Sequence, residues 1–468
     1  MRLPRPLRWK FVSAVALLSA LASPVLAGWG PDGATIKATT SDIMQVAAVH
    51  DGALGSLVAW QEGTITGGYL RALHVFPTGA VDPAWPAAGV LICDLQVNCT
   101  SLTMLTDGAG GAFIWWLEGS NFYLTRITSA GAVAMGWPSR GRLLGGLFPR
   151  LSIPSVIEDG AGGVYAAWAG LIAASGDLSG IRMIHLGPSN TGAAGFPSTS
   201  KVVVGGGSVV TWDLWPSLAL SPDGGVFAAW ASWSEDPAVV PSAMRMGRWT
   251  PSGLTSAGWA TEGLALAGFV GEALNWNPYS NWSGPGAGLI GLAPADGGGV
   301  FALLGILESD PYSPPVDTRL IRLEGDGSPS ASWPAGGRVI PQGPAWYWGG
   351  PPGASMRALS DGRGGVQLGV AFFYSHGTTL SFVSSNPIND WNPGSSVGGE
   401  VDRNDFVRNG SGGMFFAECT PVGPYGPYAL LAHLRVDQSF STPGWTDFHS
   451  ITHHHRFSCS SGNVRFHF

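Results

Sequence analysis

The chain is poor in charge. Asp, Glu, Lys and Arg together make up 12% of its residues, acids outnumber bases, and the formal net charge is −7. A polyanion is held by clustered Lys and Arg, so this balance argues against nucleic acid as a partner. Cysteine is scarce too, at four residues and with no CxxC pair, which leaves little basis for a zinc centre. Long apolar runs are missing after the first few dozen residues, so no later stretch reads as a helical membrane span. Sustained helical periodicity is absent as well, which sets aside bundles and α/β folds.

What is abundant is turn and ring. Gly numbers 70, Pro 35 and Trp 21. So many Trp exclude a disordered low-complexity chain, and so many turn formers point to short strands. The first residues form an export signal: Arg2, Arg5, Arg8 and Lys10 precede an apolar stretch from Phe11 to Ala22. That stretch is too short to cross a bilayer. Val25-Leu26-Ala27 then sets cleavage before Gly28, so residues 1–27 are read as a signal peptide and the mature protein as secreted or periplasmic. In such a compartment Cys93 and Cys99, six apart in ICDLQVNCT, are expected to close a small disulfide loop. The spacing of Cys419 and Cys459 says nothing about their pairing.

The chain repeats itself. HDGALGSLVAW, TDGAGGAFIWW, EDGAGGVYAAW, SPDGGVFAAW, ADGGGVFALLG, SDGRGGVQLGV and RNGSGGMFFAE share a turn at Asp51, Asp107, Asp159, Asp223, Asp296, Asp361 and Asn409. Each turn joins two short apolar runs, the pattern of a β-hairpin. A second half follows after a gap of variable length. It is a strand, a Gly turn, a GWPxxG-like element and another strand, as in AWPAAGVLI from Ala84 or GWPSRGRLL from Gly136. Four strands in units of roughly 40–70 residues describe an all-β, seven-bladed β-propeller over residues 28–446, with four antiparallel strands per blade. GWGPDGATIKA at Gly28 resembles the end of a unit without its beginning, so Ala34 to Thr39 are expected to supply the outer strand of the seventh blade and close the ring. DFHSI, Asp447 to Ile451, is the alternative for that strand, and residues 447–468 are otherwise expected to be an irregular tail.

The Asp-Gly turns need no function beyond the hairpin, because Asp bonds its own backbone and Gly accepts positive φ. Calcium is a poor fit, since each turn offers one carboxylate. A row of basic residues, His74, Arg126, Arg248 and Arg322, with His185 and His433 in equivalent places, recurs five residues before the second turn glycine. Its two readings are a ring for an anionic ligand, or stems packed on a neighbouring blade with heads bonded to a carbonyl or acid.

These repeats resemble those of secreted bacterial seven-bladed β-propeller proteins with Asp-Gly hairpins and GWxxxG elements. The resemblance covers most of residues 28–446. It implies the fold and carries over no catalytic residue.

On a propeller, the short repeated turns share one face and the long variable connections the other, where binding is expected. Those connections are rich in aromatics, and Trp212, Trp233, Trp276, Trp282, Tyr312, Trp346 and Trp348 are the candidate ligand-binding residues. Aromatic faces beside carboxylates suit sugar rings. The function read from sequence is therefore an exported, monomeric, non-enzymatic binding propeller for a glycan, with no cofactor and no metal. The alternatives are a protein–protein interaction scaffold, or a carbohydrate-active hydrolase or lyase using acids such as Asp213, Glu235, Glu272 and Asp310.

Overall fold

A computed structural model describes the strands and most turns between Ala34 and Phe466. Outside the description lie residues 1–33 and 467–468, a few single turn positions, and connections that include 148–153, 172–178, 205–210, 235–242, 271–286, 307–316, 340–355 and 435–453. Side chains are described from Ile43 to Gly337.

The described residues form strands and turns, with no helix. The first unit comprises Asp42–His50, Ser56–Thr64, Gly67–Val75 and Val90–Leu95, each antiparallel to the next. The second repeats the order with Cys99–Thr106, Ala112–Glu118, Asn121–Ile127 and Arg142–Gly146. The third holds Ser155–Glu158, Val164–Leu171, Ser179–Leu186 and Lys201–Val204, and the fourth Thr211–Leu220, Val226–Ser234, Ala243–Trp249 and Leu264–Val270. A single parallel pairing, Ser179 with Trp212, joins these two into one sheet. Four-stranded sheets follow at 287–339 and 356–397. Only the first five units have described side chains, and those five do not by themselves close a ring.

The last sheet differs from expectation. Arg403–Arg408, Met414–Val422 and Gly426–Leu434 are its first three strands, as the repeat requires. The fourth place is taken by His454–Ser460, which turns back through Asn463–Phe466, and Ala34–Ala38 pairs outside that as a sixth strand. The N-terminal strand thus joins the last sheet, but two places further out than predicted. The segment expected as an irregular tail holds two strands.

The core lies between units. Each strand alternates its apolar residues between two faces, and each face meets a different neighbour. In Val226–Ser234, Val226, Ala228 and Trp230 pack with Tyr165 and Ala167 of the third unit. Phe227, Ala229 and Ala231 pack with Leu292, Val300 and Leu304 of the fifth. Similar clusters join the first unit to the second and the second to the third. Both faces are buried, so the strands read as near-continuous apolar runs.

The predicted disulfide is absent. Cys93 and Cys99 are buried thiols on strands of two different sheets. The Cys99 Sγ donates instead to Gln61 Oε1 at 3.0 Å. Burial pushes the Cys93 thiol up to about 11.

Candidate functional site

The two ends of the units are built differently. At one end lie the repeated turns, and there the Asp carboxylate closes its own loop. Asp107 Oδ1 accepts from the backbone N–H of Ala109 and of Gly111, both at 2.8 Å. Asp51 and Asp159 do the same for Ala53 and Gly55, and for Ala161 and Gly163.

The other oxygen takes the basic residue of the same unit. Arg126 donates to Asp107 Oδ2 from Nε at 2.9 Å and Nη2 at 2.7 Å. Arg248 donates to Asp223 Oδ2 at 2.8 Å, His185 Nε2 lies 2.9 Å from Asp159 Oδ2, and His74 Nε2 lies 2.9 Å from Asp51 Oδ2.

Three of these heads also reach the next unit. Arg126 donates to Pro188 O at 3.1 Å and Arg248 to Gly325 O at 2.7 Å, while His185 Nδ1 is 2.9 Å from Pro251 O. Each guanidinium or imidazole lies against the ring across the strand pair, Arg126 over Phe113, Arg248 over Phe227, Arg322 over Phe301, and His185 stacked on Tyr165. In the second, third and fourth units the basic residue is therefore a latch to the next unit, and in the first four units its head is taken up by the turn acid of its own unit, which leaves the reading as stems and heads bonded within the ring the better fit there.

The GW element reinforces the latch. Trp85, Trp137 and Trp259 are buried and donate Nε1 to Ser129 O, Pro188 O and Gly325 O of the following unit, at 3.2, 2.9 and 3.0 Å. In the third unit Phe196 stands in this place and packs edge-on to His185. These contacts were not legible from the spacing alone, although the recurrence of a basic residue and a Trp eleven positions apart was the signal.

One carboxyl at this end stands out. Glu158 closes the strand Ser155–Glu158, and burial, with Asp107 and Asp159 nearby, pushes it up to about 7. Its two acidic neighbours are tied to Arg126 and His185, so the three do not form a working acid pair. Among the described residues no group of three His, Cys, Asp or Glu could hold a metal ion, and no helix is long and apolar enough to cross a membrane.

The other end carries the long connections. Of the candidate residues, Trp276, Trp282, Tyr312, Trp346 and Trp348 lie outside the described residues. Trp212 and Trp233 lie on described backbone, and the structure brings them together: they are directly opposite one another on the antiparallel strands Thr211–Leu220 and Val226–Ser234. Opposed residues share a face of the sheet. The neighbouring Asp213, a candidate catalytic acid by sequence, is 1% exposed and accepts from Trp230 Nε1 at 3.1 Å. It is part of the blade interior.

No protein-family profile matches the chain, and no curated protein matches it. Several solved structures resemble it in shape. The polysaccharide lyase Uly1 aligns at 8% identity with a TM-score of 0.48, over 85% of this chain and 90% of its own. A PL25 ulvan lyase bound to -[GlcA(1-4)Rha3S]- aligns at 11% identity with a TM-score of 0.47, over 94% of this chain and 96% of its own. The SapL1 lectin in complex with α-methyl fucoside aligns at 12% identity with a TM-score of 0.37, over 77% and 98%. Likeness at this level carries no argument about what the chain binds.

Proposed function

We propose that the chain is an exported, closed seven-bladed β-propeller that binds a glycan at the end bearing its variable connections, without catalysing a reaction. Ring closure is supported by the order of the first strands. Asp42–His50 lies beside Cys99–Thr106, Thr211–Leu220 beside Ala287–Pro294, and Ala287–Pro294 beside Met356–Ser360; Met414–Val422 of the last sheet lies beside Asp42–His50. Export is supported by the basic and apolar pattern of the first 27 residues.

The observation that carries the binding role is the Trp212–Trp233 pair. The turn end spends its charges and rings on joining units, whereas this end places two Trp opposite one another where the strands give way to long connections. Indole faces stack on the C–H faces of sugars, and aromatic residues lose little conformational entropy on binding. The burial of Asp213 supports a binding role over a hydrolytic one, since it removes the acid nearest the pair.

The test is Trp fluorescence of the mature chain titrated with a panel of polysaccharides, beside the variants Trp212→Ala and Trp233→Ala. A saturable shift that both variants abolish, with their unfolding midpoints kept within a few degrees of the parent, is the expected result. No shift with any glycan would sink the reading and leave a protein-interaction scaffold in its place.

A further inference from the structure

The carbonyls that receive the latches are not equally served. Pro188 O accepts from Arg126 Nη1 at 3.1 Å and from Trp137 Nε1 at 2.9 Å. Gly325 O accepts from Arg248 Nη1 at 2.7 Å and from Trp259 Nε1 at 3.0 Å. Each has two donors, and both keep their protons at any ordinary pH. Pro251 O of the fourth unit stands in the same place and, among the described residues, has one donor, His185 Nδ1 at 2.9 Å. Phe196 fills the position of the Trp and has no N–H to give.

That histidine is enclosed by acceptors. Nδ1 faces the Pro251 carbonyl, and Nε2 lies 2.9 Å from Asp159 Oδ2. A carbonyl oxygen and an ionised carboxylate accept and cannot donate. Both contacts are therefore hydrogen bonds only when each ring nitrogen carries a proton. With a single proton, the ring keeps it toward the carboxylate, the stronger acceptor, and sets the Nδ1 lone pair against Pro251 O. Tyr165, stacked at 3.8 Å, and Phe196, edge-on, hold the ring in place, and with 4% of its side chain exposed it has little water to turn to.

The charged groups around the ring are few. Asp159 faces it from its own unit, and Glu158 precedes Asp159. Asp223 of the fourth unit lies beyond the Tyr165 hydroxyl and is bonded by Arg248. Lys201 holds the turn that carries Pro251, donating to Gly253 O at 2.8 Å.

From these contacts we infer that the junction of the third and fourth units is a proton-operated latch, closed while His185 carries a proton on each ring nitrogen and released at Pro251 when it loses one. The junctions built on Arg126 and Arg248 stay closed over the same range, because a guanidinium keeps its charge. His74 of the first unit differs again. Its ring nitrogens face Asp51 and Asp82 of its own unit, each at 2.9 Å, so its titration acts within that unit. The stabilisation that the doubly protonated His185 supplies is present at acid pH. It is lost as pH rises through the histidine's titration, within the span of about pH 5–8 where histidines change charge. The ring of units is thus tightened by acid at one junction, and that junction is the first to loosen as the proton leaves.

Hydrogen exchange of the turn that carries Pro251 reads the latch. There Thr250 N–H donates to Leu254 O and Gly253 N–H to Thr250 O. The same two bonds run from Gly187 and Asn190 in the turn held by Arg126, and from Glu324 and Gly327 in the turn held by Arg248. The protein carrying Glu158→Gln, which silences the neighbouring acid, is measured at about pH 5.5 and about pH 8, with rates corrected for intrinsic exchange. On going to the higher pH, the amides of Thr250 and Gly253 should lose about 3–10-fold in protection relative to those of the other two turns. Adding His185→Arg should hold that ratio constant, because the charge stays. Adding His185→Gln, which cannot gain a proton, should leave the turn at its weaker protection at both pH values. A ratio that does not change with pH in the Glu158→Gln protein would overturn the inference, as would a change that persists when either His185 variant is added.

Discussion

The indole of Trp116 fills the space that a side chain at Gly141 would need. A β-carbon on Gly141 would stand 2.5 Å from Trp116 Cη2, and the residue sits at φ +75°. Trp116 lies on the strand Ala112–Glu118 of the Asp-Gly hairpin, and Gly141 ends the GWPSRG element of the same unit. The same relationship holds for Trp60 over Gly89, again at 2.5 Å, and for Trp230 over Gly263. Two motifs that recur separately along the chain are thus halves of one packing unit.

Gly141→Ala should therefore destabilise twice over, through a left-handed backbone and through overlap with Trp116. The expected cost is about 2–4 kcal/mol. Trp116→Ala alone should cost about 3–5 kcal/mol, because the side chain is fully buried. Combining the two should cost less than their sum by about 1–2 kcal/mol, since the truncated ring no longer opposes the new methyl. Urea unfolding of the four proteins reads this directly. Strict additivity would mean that the two residues are not coupled.

The turn acids should differ in worth although their motifs match. The Asp107 side chain is 2% exposed and held by two backbone N–H groups and both arms of Arg126. The Asp223 side chain is 49% exposed and takes one backbone bond and one from Arg248. Asp107→Ala strands two N–H groups and the mostly covered Arg126 guanidinium, which keeps only Pro188 O, and should cost about 2–4 kcal/mol. Asp223→Ala should cost about 1 kcal/mol or less. Equal losses in thermal or urea midpoints would contradict the latch as drawn.

How much of this was legible in the sequence follows from range. The hairpin turns and the GW element are local, with Asp, Gly and Trp in fixed order over a dozen residues, and the four-stranded antiparallel unit follows from them. The basic row was visible, but both its readings fitted until Asp107, Pro188 and Phe113 were seen around Arg126. The end of the last sheet was misplaced because its outer strands lack the GW element. HHRFSCS and NVRF alternate as strands do, yet the His run disguised the first of them. The disulfide failed for a tertiary reason: two cysteines close in sequence fall on strands of different sheets, and Gln61 takes the thiol of one. The end that bears the variable connections was the least legible part. Its connections carry no repeat, and only the pairing of Trp212 with Trp233 came from register.

The thiols give a chemical check. With no disulfide between them, Cys93 and Cys99 should both alkylate in denaturant without any reductant. In the native protein near pH 8, Cys93 should react at least about a hundredfold more slowly than an exposed thiol, because it is buried and its thiolate is scarce. Mass spectrometry of labelled peptides reads both. A Cys93–Cys99 linked peptide from the unreduced protein would restore the disulfide.

Glu158 should make stability depend on pH in a direction opposite to that of most carboxylates. Burial, and then repulsion from Asp107 and Asp159, raises its folded value from 4.5 to about 7. Between these limits the folded chain keeps a proton that the unfolded chain has lost, so raising the pH favours unfolding. The contribution is fully present below about pH 4.5 and is lost as pH rises through about 7, with a total on the order of 2–3 kcal/mol. Other acids oppose this trend; Asp223 is lowered, because its partial burial is outweighed by the Ser221 hydroxyl, the Gly225 N–H and the Arg248 guanidinium around its carboxylate. A bare pH profile would therefore blur the effect, and the comparison that isolates it is with Glu158→Gln, which keeps the shape and never ionises. At about pH 5 the parent and the variant should unfold at nearly the same urea concentration. At about pH 8 the variant should be the more stable by most of the amount above. A difference between them that stays constant from about pH 5 to about pH 8 would mean that Glu158 ionises as it does in water, and that the junction of the second and third units does not confine it.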